Sequence, residues 1–136
     1  MNRNLVDYAG ILTYARGSNS GYRLTVELER DFGRYYHSLI PKYKNTKPQK
    51  YNSHISVIRH EIPPNLEAWE KYQGESVGFK YDTIIRNGEV YYWLDVVSKE
   101  LEDIRAELGL FRPPLYPELV PDGYVNLFHI TIGNIK

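Results

Sequence analysis

Apolar and polar positions change rhythm several times along the chain, and each rhythm predicts an element. Residues 9–17, AGILTYARG, are apolar-rich and run into the turn cluster Gly17-Ser18-Asn19-Ser20-Gly21. Residues 22–29, YRLTVELE, then alternate, with Leu24, Val26 and Leu28 on one face. Two such runs across that turn predict a β-hairpin. The period next lengthens. Phe32, Tyr35, Tyr36, Leu39, Ile40 and Tyr43 fall on one stripe of a helix, with Asp31 as its expected cap and Pro41 ending or bending it. A polar connector, KNTKPQKYNS, leads into the strand HISVIRHEI, which Pro63-Pro64 stops.

The second half follows the same plan. SVGFKYDTII and EVYYWLDVV flank Arg86-Asn87-Gly88, and Asn-Gly between β-rich runs is a strong hairpin signal. Ser98 is placed to cap a helix carrying Leu101, Ile104 and Leu108, with Gly109 closing it. A Pro-rich connector, FRPPLYPELVPDGYVN, leads into LFHITIGNI. Between the halves, Asn65 to Gln73 reads as a short helix containing Trp69. Hairpin, helix, connector and strand thus occur twice. The second strands, the helix caps and the last strands are offset by 67, 67 and 75 residues, the longer second connector absorbing the difference. The fold class expected is α+β, a pseudo-duplicated ββαβ + ββαβ within one domain over 1–136. Lobe one spans about 9–62 and lobe two about 75–136, with antiparallel sheets and the helices outside.

The last strand of each half opens on the same phrase: His54-Ile55-Ser56-Val57 and His129-Ile130-Thr131-Ile132. Strand residues two apart share a face, so each histidine shares its face with a hydroxyl while the aliphatic pair faces the other way. A single such phrase is most simply a strand histidine. Two of them, in matching slots of a chain with four histidines, point instead to a shared site. Two imidazoles and two hydroxyls suit phosphodiester cleavage without a metal. One neutral histidine removes a proton from the attacking oxygen, and one protonated histidine gives a proton to the leaving oxygen. The hydroxyls hold the non-bridging oxygens. His54, Ser56, His129 and Thr131 are the candidate catalytic residues. Lys50, Tyr51, Tyr116 and Tyr124, on the connectors entering the two strands, are candidate substrate-binding residues: a cation for phosphate and rings for bases.

Composition narrows the partners. Lys plus Arg and Asp plus Glu each number 17, which argues against coating long duplex nucleic acid but leaves a small phosphorylated ligand open. There is no cysteine, hence no disulfide or thiolate metal site. His60 lies six residues beyond His54, ~20 Å along a strand, and no acidic cluster accompanies the histidines, so no metal or other cofactor is expected. His37 is expected on the solvated helix face, and Trp69 and Trp93 in the core. The 13 tyrosines suit half-wet sheet faces and base stacking. The opening residues lack an apolar run long enough for a signal peptide or a membrane span, so a soluble cytoplasmic protein is expected.

The paired phrases resemble the signature of the two-histidine phosphoesterase superfamily, with its LigT-like fold. That resemblance implies a bilobed molecule with the two motifs lining a central groove, His54 and His129 as the acid–base pair, and Ser56 and Thr131 on the phosphate. It spans nearly the whole chain as architecture and eight residues as motif, with Ser56 where threonine is common. Compactness and the HISVIRHEIP context look most similar to the small phage-type branch. This implies hydrolysis of a cyclic oligonucleotide second messenger, counteracting a bacterial defence (CBASS) from within the host cytoplasm. Other branches act on 2′,3′-cyclic phosphates at short RNA ends or on 2′,5′-oligoadenylates. A protein that binds a nucleotide without cleaving it, and a protein in which the phrases are accidents of strand patterning, are the competing readings.

Overall fold

Alternating runs become strands where one face can be buried, and here the buried faces meet in one core. The computed structural model describes residues 4–17, 21–111 and 117–136. The first hairpin is β1 (Leu5–Gly17) and β2 (Gly21–Glu27), in register from Ile11↔Glu27 to Gly17↔Gly21. Its expected turn residues 18–20 lie outside the described residues. Helix α1 covers Arg30–Ser38, and the short β3 (Lys47–Pro48) precedes β4 (His54–Glu61). The second half runs β5 (Ser76–Asp82), the two-residue β6 (Arg86–Asn87), β7 (Tyr91–Val97), α2 (Lys99–Glu107) and β8 (Phe128–Asn134).

All the pairings are antiparallel, and the strands form a single sheet rather than two. Six strands close into a barrel in the order β8-β4-β2-β1-β5-β7 and back to β8. Two features link the hairpins. The early part of β1, which the apolar run from residue 9 did not predict, pairs with β5 from Leu5↔Asp82 to Ile11↔Ser76. On the other side β4 meets β8 at one pair, Ile55↔Ile130. The fold is therefore α+β, with an antiparallel barrel and two α-helices among the described residues.

One face of the sheet is apolar. Leu24 and Val26 of β2, Ile55 and Val57 of β4, Leu94 and Val96 of β7 and Ile130 and Ile132 of β8 form one core with both helices. From α1, Phe32 packs edge-on to Tyr81 at 5.1 Å, and the Tyr36 and Tyr81 hydroxyls are 2.8 Å apart. Gly33 lets α1 come down onto Ser53, whose hydroxyl occupies the space a Cβ would need. The start of α1 differs from expectation. Asp31 lies inside the first turn, Glu29 takes the cap position, and no side chain caps the helix. Asp31 there still favours the helix through its charge at the positive end of the dipole.

Ser98 does cap α2. Its Oγ accepts from Leu101 N–H at 3.2 Å and donates to the Gly78 carbonyl at 2.7 Å. Gly109, at φ +83°, follows the last turn in the left-handed conformation glycine tolerates. Because Ser98 joins helix to strand as well as capping, Ser98→Ala is expected to lower unfolding free energy by about 1–2 kcal/mol in urea denaturation. A loss under a few tenths would mean the cap is dispensable. The segment after Pro64 holds a shorter helical piece than expected, one 3₁₀ turn at Leu66–Ala68. Trp69 is partly buried against the core edge-on to Tyr14 and Tyr22. No helix among the described residues is long and apolar enough to cross a membrane.

Candidate functional site

The polar face of the same strands lines an open groove of about 1350 Å³. Because Ile55 and Ile130 face the core, their neighbours His54, Ser56, His129 and Thr131 all turn into this groove. The two phrases are thus brought together. Row by row across β2 and β4, Glu27 lies opposite His54 and Thr25 opposite Ser56. Across β7 and β8, Asp95 lies opposite His129 and Trp93 opposite Thr131.

Each histidine strand is entered through a pinned connector. Before β4, Leu28 N–H donates to the Ser53 carbonyl at 3.0 Å, and buried Ser53 abuts Gly33. Before β8, the Glu102 carboxylate of α2 accepts from the N–H groups of Val125 and Asn126, each at 2.6 Å. These contacts hold the strand starts where the histidines sit.

The two imidazoles have different surroundings. His54 Nδ1 is 3.2 Å from the Asn52 carbonyl oxygen, which can only accept, so Nδ1–H donates and Nε2 is left facing away from that bond. His129 is exposed to the groove, yet protein crowds enough of its surroundings to strip water from the ring. Burial lowers its pKa below the usual histidine value, Asp95 pulls it back up, and His54 and Arg59 push it down. His54 is therefore close enough to be felt as charge. Asp95 is itself held by Trp93 Nε1–H at 3.0 Å and lies 3.6 Å from Arg86 Nε. Removing the carboxylate charge removes the one influence that raises the His129 pKa, so Asp95→Asn is expected to lower it further. Titration of the ring protons by NMR reads this directly, and a rise would contradict it.

Lys50 and Tyr51 line the groove as expected. Tyr124 does not; it sits beside α2 with Lys99 Nζ 5.4 Å from its ring centre, because Glu102 draws the connector onto that helix. Tyr116 and part of the 111–126 connector lie outside the described residues. Trp93 is corrected from the core to the groove. It shares parity with Tyr91 and Asp95, while Leu94 and Val96 take the core. His37 is half-buried, with Nε2 3.1 Å from Thr46 Oγ1, rather than solvated. His60 lies outside the groove lining, at φ +60°, with its Nε2 accepting from Arg59 Nε at 3.3 Å.

The groove also carries residues not singled out from the sequence: Arg23, Thr25 and Glu27 on β2, Arg30 on α1, Arg59 on β4 and Asp95 on β7. The β2 set was open to inference, since alternation that buries Leu24 and Val26 must turn positions 23, 25 and 27 the other way. The groove holds four cations (Arg23, Arg30, Lys50, Arg59) and two carboxylates (Glu27, Asp95), so a neutral chain has a locally positive site. Among the described residues no group of three or more His, Asp or Glu is placed to hold a metal ion. Neither a family model, nor a curated protein, nor a solved structure matches the chain significantly.

Proposed function

We propose that the groove is the active site of a phosphodiesterase of the two-histidine type, acting without a metal on a nucleotide, with a cyclic oligonucleotide as the favoured substrate. The observation that carries this reading is the convergence of His54, Ser56, His129 and Thr131 on one positively charged groove. In the proposed reaction a water, or a 2′-hydroxyl beside the scissile phosphate, attacks phosphorus. One histidine takes the proton of the attacking oxygen, the other protonates the departing oxygen, and the P–O bond to that oxygen breaks. Ser56 and Thr131 donate hydrogen bonds to the non-bridging oxygens as charge builds there. A histidine pair can serve because imidazole exchanges protons near neutral pH.

The halves are read as equivalent, β1-β2-α1-β4 with β5-β7-α2-β8. The strand order supports this, since exchanging the halves turns the barrel order into itself reversed. On that reading the two motifs face each other across a pseudo-twofold axis. The groove volume supports a substrate larger than a mononucleotide, because pockets for drug-sized ligands hold about 300–1,000 Å³. Tyr51, Tyr91 and Trp93 supply flat faces for bases.

The test is turnover in EDTA of a panel of cyclic di- and trinucleotides, 2′,3′-cyclic nucleotides and 2′,5′-oligoadenylates, followed by mass spectrometry. Cleavage of at least one cyclic oligonucleotide is expected. Turnover confined to 2′,3′-cyclic ends would move the substrate to RNA termini. Tight binding with every ligand recovered intact would replace catalysis with sequestration.

A further inference from the structure

Arg23 and Arg59 lie directly opposite one another on β2 and β4, and both line the groove. Like charges in directly opposed positions repel and destabilise a sheet. Arg23 has no acidic partner among the described residues, and the one side-chain contact of Arg59, with His60, is to an imidazole and cancels no charge.

The pairing does not arise from simple alternation. From His54 and Ser56, a regular strand would aim position 58 into the groove. Instead the register shifts between Leu24 and Thr25, Val57 and Ile58 both enter the core, and Arg59 is delivered to the groove beside Arg23. Bulges of this kind re-aim side chains next to functional sites. Here the bulge sets two arginines opposite one another on the groove wall, two positions along β2 from the Thr25–Ser56 row. That is about 7 Å at strand rise, the order of one nucleotide step along a sugar-phosphate backbone. Both arginines line the same groove as the two histidines, and the charge of Arg59 helps to depress the His129 pKa.

We propose that Arg23 and Arg59 form a subsite for a second, non-scissile phosphate, making the enzyme selective for substrates with at least two phosphodiesters. The inference rests on the reading of the groove as a nucleotide phosphodiesterase. Each guanidinium offers a planar fork of donors matched to phosphate oxygens, and an anion between them removes their repulsion. The scissile phosphate stays with the histidines and hydroxyls, and the next phosphate along the ring or chain takes the arginine pair.

Binding and turnover test this separately. Calorimetry compares a hydrolysis-resistant cyclic dinucleotide phosphorothioate with the linear dinucleoside monophosphorothioate of the same bases, on the wild-type protein, Arg23→Gln, Arg59→Gln and Arg23→Lys. Each Gln variant is expected to weaken the two-phosphate ligand about 10–100-fold, at least tenfold more than the one-phosphate ligand, with Arg23→Lys intermediate. Turnover of the unmodified cyclic dinucleotide should lose its efficiency mainly through KM. Equal weakening of both ligands, no weakening of either, or no binding of either by the wild-type protein would overturn the subsite. A wild-type protein that binds both ligands with this selectivity yet cleaves no member of the panel would leave the subsite standing and remove the catalytic reading. One that cleaves one-phosphate substrates with no preference for two would do the reverse.

Discussion

His54→Ala and His129→Ala are each expected to cut turnover by about 10²–10⁴-fold while leaving the fold intact. The two imidazoles are assigned opposite halves of one proton exchange, and neither half proceeds well alone. The double variant should therefore be little worse than the poorer single one, because residues acting as a unit do not contribute additively. Neither ring carries the core: Ile55 and Ile130 do that beside them, at 0% exposure. Circular dichroism and urea midpoints close to wild type are expected for both variants. Their substrate affinity should change far less than their rate. A single variant that keeps a near-normal rate, in a folded protein, would end the two-histidine mechanism.

Arg105→Met is expected to cost about 3 kcal/mol of unfolding free energy, the largest stability loss predicted for a single side chain. Arg105 projects from α2 and is 4% exposed. Its guanidinium meets both oxygens of Glu61 at 2.8 and 2.9 Å and donates to the Val57 carbonyl at 2.8 Å. Methionine fills similar volume but leaves a carboxylate and a backbone carbonyl short of a donor. Glu61 is partly exposed and has a further partner, which keeps the loss at the lower end of that for a broken buried pair. Urea denaturation measures the loss, and adding Glu61→Gln should return part of it. An Arg105→Met midpoint equal to wild type would show that the pair stabilises nothing. The contact also bears on the site, since Val57 is the extra residue of the bulge and Val57 and Glu61 flank Arg59 on β4.

Local rhythm was enough to place β2, β4, β7, β8 and both helices, because burying one face leaves a periodic trace. The same rhythm foretold that His54 with Ser56, and His129 with Thr131, would share faces. It could not foretell barrel closure. The β1–β5 and β7–β8 pairings join segments far apart in sequence, and a strand carries no local mark of its distant neighbour. Arg59 was missed because a bulge shifts parity in mid-strand, and parity is all that an alternating pattern encodes. Trp93 was expected in the core because it lies on a central strand, but a central strand buries only the phase of Leu94 and Val96 and turns Trp93 to the groove. Tyr124 was misplaced because a glutamate on α2 redirects its connector through backbone N–H groups, whose partners leave no imprint on side-chain pattern.

The β4–β8 contact has a mechanical consequence. These strands touch at one bridge, Ile55↔Ile130, and the residues on either side of that bridge are the two histidines and the two hydroxyls. That one backbone bridge therefore sets how far apart the two histidine strands stand, while the paired isoleucines anchor it from the core side.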